Sequence, residues 1–334
     1  VLRALKHDKG GALIPVRWSG RDTLPIDHFN GTPTALKIVD VNRDGLSDLV
    51  IFTYGPPVLL LGRPDGEPFR QAPALGPLAG LSSPASLSMT DLNGPALLLA
   101  QNTFARDLIL GPDDQWKVKD QYDSRRGSAQ VVGATAVDLD GDGAKEVVLM
   151  DRTSRSLLLL SPKEDMYRPR GALSVGSFEF QGFDVEDFDG DGKPDLLLAG
   201  TDRFGVVLAG RRGLRLKTLA SYESNRKDAV LSDLVAGDLN GDGRPDIALT
   251  DTAEHFVEIA TPTGPRELSR GLSFKVYERK SFRDIDALVE PRDLAVGEVN
   301  GDGRTDLVLI VHDRLLVYRQ DPGPLGQESP RGDK

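Results

Sequence analysis

Acidic side chains recur at alternate positions in five short segments of the chain. Asp40, Asn42, Asp44 and Asp48 occupy positions 1, 3, 5 and 9 of the first segment. The same positions hold Asp138, Asp140, Asp142 and Glu146, then Asp187, Asp189, Asp191 and Asp195. They hold Asp238, Asn240, Asp242 and Asp246 in the fourth, and Glu298, Asn300, Asp302 and Asp306 in the fifth. Oxygen donors on alternate residues of a tight loop can converge on one hard cation. The carbonyl of position 7 is the natural further ligand, which adds Leu46, Ala144, Lys193, Arg244 and Arg304. An all-oxygen set favours Ca2+, whereas Mg2+ prefers a small octahedral shell that keeps several waters. Without a cation the crowded carboxylates would repel one another. Glycines such as Gly141 and Gly143 permit the positive φ that such a turn requires. Arg43 stands where the other loops have glycine, and Glu298 must fold back a longer side chain. A sixth segment keeps Asp91 and Asn93 but has Pro95 and Leu99 at positions 5 and 9, and is expected to bind no metal. The expectation is about four or five Ca2+ ions in structural rather than catalytic roles.

The first positions of the six segments are separated by 51, 47, 49, 51 and 60 residues. A period near fifty marks a repeat architecture. In each unit an apolar run such as Ala35–Val39 leads into the acidic loop. A β-rich run follows, such as Leu49–Phe52 or Leu307–Val311. Third runs include Val58–Leu61, Leu157–Leu160 and Leu315–Tyr318, and more polar fourth runs include Leu214–Leu219. Runs of four to six residues between turn residues read as strands. Four short antiparallel strands per repeat are the pattern of a propeller blade. The expected fold is therefore all-β, a β-propeller of four-stranded antiparallel blades with the acidic loops between strands 1 and 2. Six blades are expected, with seven the alternative. EF-hands are excluded, because position 12 is Ile51, Leu149, Leu198, Leu249 or Leu309 inside a strand, where a bidentate Glu would be required.

A hairpin from Leu2 to Trp18 precedes the first repeat and is expected to close the last blade. One propeller then spans 1–320, and the Pro-, Gly- and charge-rich 321–334 reads as a disordered tail. The chain begins at Val1 with no visible signal peptide, as a processed mature form or a trimmed chain would.

Among 334 residues there are 51 acidic, 41 basic and no cysteine, a net charge of −10. The absence of cysteine excludes disulfide scaffolds and zinc fingers. No apolar run is long enough to span a bilayer, and the acidic balance argues against general nucleic-acid binding. The acidity resides in the loops. Setting aside their 17 carboxylates leaves 34 acidic residues against 41 basic ones.

The D-x-[DN]-x-D-G-x-x-[DE] loop between short strands, repeated about every fifty residues, resembles the FG-GAP and VCBS repeats. These occur in integrin α-chain propellers and in many bacterial extracellular proteins. The resemblance covers roughly 30–320. It implies calcium binding and an extracellular or periplasmic location. Because the same repeats serve adhesion, scaffolding, lectin and polysaccharide-lyase roles, it does not decide activity.

Blade geometry puts the blade-to-blade crossovers on the face opposite the acidic loops. Three crossovers pair a tyrosine with basic residues: Tyr122 with Arg125 and Arg126, Tyr222 with Arg226 and Lys227, and Tyr277 with Arg279 and Lys280. Arginine forks suit carboxylate recognition, which points to an acidic protein or acidic glycan partner. The alternative is that each tyrosine packs between blades and the charges are only solvated. The leading reading is a binding or scaffold module, alone or within a larger chain or complex. The alternative is a polysaccharide lyase or other carbohydrate-active propeller enzyme. Beside the loops no residues resemble an acid–base pair, and His7, His28, His255 and His312 form no recognisable catalytic motif. Asn30-Gly31-Thr32 is a glycosylation sequon only in a eukaryotic secretory pathway. Arg331-Gly332-Asp333 is read as coincidence in a charged tail.

Overall fold

The computed structural model describes residues 2–7, 13–24, 33–63, 69–72, 76–81, 83–92, 94, 96–164, 166–178, 180–200, 204–210, 216–218, 231–264, 267–277, 290–311 and 314–320. It is a ring of six antiparallel sheets. The first blade comprises β3 (Pro33–Val39), β4 (Asp48–Thr53), β5 (Val58–Leu61) and β6 (Arg70–Gln71). The second has β7 (Leu87–Thr90), β8 (Ala96–Gln101), β9 (Phe104–Leu110) and β10 (Trp116–Asp123). The third has β11 (Val131–Val137), β12 (Glu146–Asp151), β13 (Ser156–Lys163) and β14 (Met166–Ser174). The fourth has β15 (Phe180–Glu186), β16 (Asp195–Gly200), β17 (Phe204–Val207) and β18 (Leu216–Thr218). The fifth has β19 (Leu231–Gly237), β20 (Asp246–Asp251), β21 (Phe256–Gly264) and β22 (Glu267–Lys275).

The sixth blade joins the two ends of the chain. Its inner strands are β23 (Asp293–Gly297), β24 (Asp306–Val311) and β25 (Arg314–Gln320). Outside β25 lies β2 (Leu13–Leu24), and outside that β1 (Leu2–His7). The strand β2 does two things in sequence. Its first half pairs with β1, Leu13 opposite His7 and Trp18 opposite Leu2. Its second half pairs with β25, from Trp18 opposite Gln320 to Leu24 opposite Leu315, across a bulge between Ser19 and Asp22. This blade thus has five strands where four per blade are expected. The tail, 321–334, lies outside the described residues. Among the described residues no helix is long and apolar enough to cross a membrane.

The second strand of each blade explains the continuous apolar runs of the sequence. Alternate residues of a strand face opposite sides, and here both sides are covered. Leu97 and Leu99 of β8 pack towards the first blade with Phe52 and Leu61. Their neighbours Leu98 and Ala100 pack towards the third with Val147 and Leu149. In β12, Val148 and Met150 turn to the fourth blade, against Leu196 and Leu198. Leu197 and Ala199 meet Ile247 and Leu249, and Ala248 joins Leu307 and Leu309. The last cluster closes the ring, with Val308 and Ile310 against Leu49 and Ile51. Six clusters fill six junctions, so the blade number is six. Burying a leucine side chain stabilises by about 1.5–3 kcal/mol, and the second strands supply most of it from both faces.

Glycine allows the inner strands to approach closely. A Cβ on Gly133 would stand 2.9 Å from the backbone oxygen of Ala85 in the preceding blade. The polypeptide around the central channel is also stitched by side chains. The Ser88 hydroxyl donates to the Ala134 carbonyl at 2.7 Å, and the Ala236 N–H donates to Asp184 at 3.0 Å. At the closing junction the Leu36 N–H donates to Asp293, and the Arg292 guanidinium donates to the Pro33 carbonyl at 3.1 Å.

Ring closure through β2 is open to direct test. Deleting residues 1–24 strips β25 of its outer neighbour and leaves an open strand edge, which invites self-association. The truncated protein is expected to melt several degrees lower and to aggregate on size-exclusion chromatography. An unchanged melting temperature and a monomeric profile would show that closure does not depend on these strands.

Candidate metal centres

Each acidic loop hangs between the first and second strands of its blade, and its position 9 is the first residue of the second strand. That residue is buried in all five loops: Asp48, Asp246 and Asp306 are 0% exposed, Asp195 1% and Glu146 2%. One carboxylate oxygen accepts the backbone N–H of position 2, from Val41 at 2.8 Å, Leu139 at 3.0 Å, Phe188 and Leu239 at 3.1 Å, and Val299 at 3.3 Å. The other reaches the far end of the third strand. It accepts from the N–H of Gly62, Ala209 or Gln320, at 2.7, 2.7 and 2.9 Å. In the remaining two loops the donor is a hydroxyl, Ser161 at 3.3 Å or Thr261 at 2.6 Å. One side chain therefore fastens three strands of its blade to the loop.

Positions 1 and 5 accept backbone N–H groups of their own loop, and position 3 does so in the loops beginning at 40, 138, 238 and 298. Position 1 accepts from positions 4 and 6. For Asp138 these are Gly141 at 2.7 Å and Gly143 at 2.9 Å, and for Asp187 Gly190 at 2.9 Å and Gly192 at 2.8 Å. Glu298 makes the same two contacts with Gly301 and Gly303, so its longer side chain does fold back. Arg43 adopts φ 63°, the left-handed conformation that Gly141 adopts at 75°, and donates its N–H to Asp40 at 2.7 Å. Position 5 accepts from position 7, as in Ala144 to Asp142 at 2.8 Å and Arg244 to Asp242 at 2.9 Å. These bonds hold each carboxylate in one orientation and occupy only part of its accepting capacity.

The geometry fits a cation. Carboxylate oxygens of Asp138, Asp140 and Glu146 lie within 4.8 Å of one another, as do those of Asp187, Asp189 and Asp195. These are the two loops with an acid, not Asn, at position 3. In the fourth loop Oδ2 of Asp242 is buried with no hydrogen-bond partner among the described residues. The second loop also has a charge partner that repeat reading missed. Arg170 on β14 donates to Asp140, and to Glu146 at 3.4 Å.

Burial pushes the position-9 carboxyls well up, against the pull of their N–H bonds. Asp48 and Asp246 rise to about 7, and Asp195 and Asp306 to about 6, with the other loop carboxylates adding to the rise. Glu146 is raised by the same burial, and Arg170 opposes it. Next to the third loop, Glu186 rises to about 7 through burial and the charges of Asp184, Asp238 and Asp187.

The second blade departs from the repeat in a way that alignment by letters misplaces. Thr90 pairs with Ala96, as Val39 pairs with Asp48. Ala96, not Leu99, therefore stands at the structural equivalent of position 9, because the loop is three residues shorter. No carboxylate heads β8, and Asp91 pairs instead with Lys145 at 2.6 Å. Asn93 and Pro95 lie outside the described residues.

Cavities lined by the described residues accompany the fold. The central channel encloses about 970 Å³, with Lys37, Lys145 and Arg292 facing Asp91, Asp184, Glu186, Asp238 and Asp293. Much of its charge is already used in fastening blades, as the bonds of Asp184, Asp293 and Lys145 show. A second pocket of about 380 Å³ opens between the second and third blades, on the face away from the loops.

On that face Arg125 and Arg126 are exposed, as expected. Tyr122 is not. It is 1% exposed and packs edge-on against Tyr167 at 5.1 Å, so its ring is withdrawn from the surface a partner meets. An aromatic that ends an outer strand is covered by the next blade. Tyr222, Arg226, Lys227, Arg279 and Lys280 lie outside the described residues, as do His28, His312, Asn30 and the Arg331-Gly332-Asp333 stretch. His255 Nδ1 lies 2.8 Å from the Glu290 carbonyl and the ring stacks edge-on against Tyr277, a structural placement. Sequence reading passed over Arg152 and Arg155. The signal was present, since the turn between strands 2 and 3 shares a face with the crossovers.

Residues 187–249 match the family model of the FG-GAP-like repeat, and the ring of six antiparallel blades is consistent with a propeller of FG-GAP type. No curated protein matches the sequence. Among solved structures, the Photorhabdus luminescens Tc holotoxin pore resembles 96% of this chain at 17% identity and a TM-score of 0.52. This chain corresponds to only 16% of that one. The structure of BBS1N in complex with ARL6DN covers 92% of this chain and 97% of its own, at 13% identity and a TM-score of 0.50. Both are similar in fold.

The raised carboxyls fix the sign of a pH effect in chelator. Their folded values lie above the unfolded value of 3.8, so the folded state holds more protons between about 4 and 7. Their contribution is fully present below pH 4 and is lost as pH rises through 6–7. Urea titrations in chelator should therefore give lower stability at pH 7.5 than at pH 5. Stability that rises steadily across this window would contradict the assignment.

Proposed function

We propose that the chain is a calcium-stabilised propeller acting as a binding or scaffold module for a protein partner, in an extracellular or periplasmic setting. The observation that carries the calcium reading is the repeated all-oxygen cluster, with carboxylates pre-oriented by backbone N–H groups and Oδ2 of Asp242 buried without a hydrogen bond among the described residues. Side chains at positions 1, 3, 5 and 9 and the carbonyl at position 7 would hold the ion in the loops beginning at 40, 138, 187, 238 and 298. The second blade, lacking its position-9 acid, is expected to hold none. The cation supplies charge neutralisation where burial and repulsion otherwise disfavour the ionised carboxylates. Its role is structural, since among the described residues no acid–base pair accompanies the loops.

The interaction role is supported by the division of the molecule into two faces. The loops take up one face, while the other carries crossovers and turns with exposed arginines and a pocket. The similar propeller of BBS1N was solved in complex with ARL6DN, an instance of this architecture engaging a protein. An external location is supported by the loops themselves, because calcium modules of modest affinity fill only where calcium is abundant.

Thermal unfolding in about 1 mM Ca2+ against excess chelator tests the metal. If the sites bind at about 10 μM, each contributes up to ~2.7 kcal/mol by mass action, and the melting temperature should rise by many degrees. Asp242→Ala should shrink that rise while costing the chelated protein only about 0.5–1.5 kcal/mol for one lost bond. No rise, together with no calcium in the purified protein, would remove the reading.

A further inference from the structure

We propose that the junction of the second and third blades, on the face away from the acidic loops, is the docking site for an acidic peptide segment of the partner. The inference rests on the protein-binding reading above and adds the place and the chemistry.

Two chain segments meet there. The crossover after β10 carries Arg125 and Arg126, and the turn after β12 carries Arg152 and Arg155. All four are exposed. The segments are fastened to each other. The Arg126 guanidinium donates to Ser154 Oγ at 3.4 Å. The Arg152 N–H donates to the Gln130 carbonyl at 3.0 Å, and the Gln130 N–H donates to Asp151 at 2.9 Å. The patch is thus set on rigid strand ends.

The nearby acids do not neutralise it. Asp151 is 1% exposed and accepts from Gln130, Thr153 and Ser154. Asp123 is exposed but turns to the Arg125 N–H at 2.6 Å. Among the described residues none of the four arginines forms an ion pair. Elsewhere on the surface Arg70 pairs with Asp114, Arg170 with Asp140, and Arg304 with Asp302. The charge is local as well. The corresponding turns of the first and fifth blades, Tyr54-Gly55 and Thr252–His255, carry no arginine, and the fifth carries Glu254.

The pocket of about 380 Å³ opens beside this patch, with Arg152, Gln101, Asn102 and Gln130 around it and Met150 and Phe180 beneath. That volume lies within the usual range for bound small groups, about 300–1,000 Å³. The Gln101 and Gln130 carboxamides have no hydrogen-bond partner among the described residues. Each offers one accepting and one donating end, which matches a peptide group. Arginine forks match carboxylates in two parallel bonds. Phe180 is 6% exposed and leaves no ring face on which a sugar could stack. These features together favour a peptide whose amide groups meet Gln101 and Gln130 in the pocket, with flanking Asp or Glu for the arginines.

The test uses the full chain loaded with Ca2+ and a fluorescein-labelled peptide of Glu and Leu, followed by anisotropy at low salt. Saturable binding is expected, at least ~10-fold weaker in the Arg126→Ala, Arg152→Ala double variant and weakened by salt. Lys117→Ala, the loss of one charge on the outer strand β10, should leave affinity unchanged, and a Gln-for-Glu peptide should bind poorly. All variants must retain the wild-type melting temperature. Binding unaltered in the double variant overturns this site and leaves a protein-binding propeller standing. No binding to the wild type removes the acidic-partner reading as well. Oligogalacturonate bound in place of the peptide, and lost in the same double variant, would assign the site to a glycan and overturn the peptide.

Discussion

A buried carboxylate at the head of the second strand is the group on which both loop and blade depend. In five blades it accepts from the start of the acidic loop and from the far end of the third strand. A buried carboxyl is costly unless its bonding is complete. The backbone supplies at least two donors in three blades and one, joined by a hydroxyl, in the other two, and the remaining cost shows as a rise of Asp48 and Asp246 to about 7. A cation in the loop would favour the ionised form. Loop conformation and strand pairing are therefore one coupled unit, to which a bound cation would add, and the unit is repeated around the ring.

The second constraint is that each second strand has no free face. Leu97 and Leu99 belong to one junction and Leu98 and Ala100 to the next, so each blade is stable only between its neighbours. Such an array has no natural end until it closes. Closure is achieved by β2, which leaves its hairpin with β1 and pairs with β25. Even the blade that lost its acidic loop keeps its place, because Ala96 preserves the pairing with Thr90 while the apolar alternation of β8 is intact. Packing holds the ring, and the loops stiffen one face of it.

The two faces consequently carry different chemistry. Carboxylates gather where strand 1 turns into strand 2. Four exposed arginines gather where strand 2 of the third blade turns into strand 3 and where the second blade passes to the third. A chain of modest net charge, −10, thereby carries a local basic patch, and the face away from the acidic loops is the one that can meet an acidic surface.

By itself the sequence determined the blade, its period, the four-strand order and the oxygen set of each loop. These follow from local rules. Alternation sets strand faces, glycine sets the turn, and oxygen donors two residues apart share a loop whatever surrounds them. Arg43 was legible as a deviation, and its φ of 63° shows that a left-handed non-glycine residue serves the same turn. What only the tertiary structure decided depends on residues far apart in the chain. The blade number came from the packing of Val308 and Ile310 on Leu49 and Ile51, and the bond from Asp293 to the Leu36 N–H spans nearly the whole chain. Tyr122 reads as a surface aromatic until Tyr167 of the next blade covers it. Arg152 and Arg155 read as an ordinary turn until the neighbouring crossover brings Arg126 against Ser154. Periodicity records what each residue needs from its own strand, whereas burial, charge clustering and shared cavities arise only when blades meet.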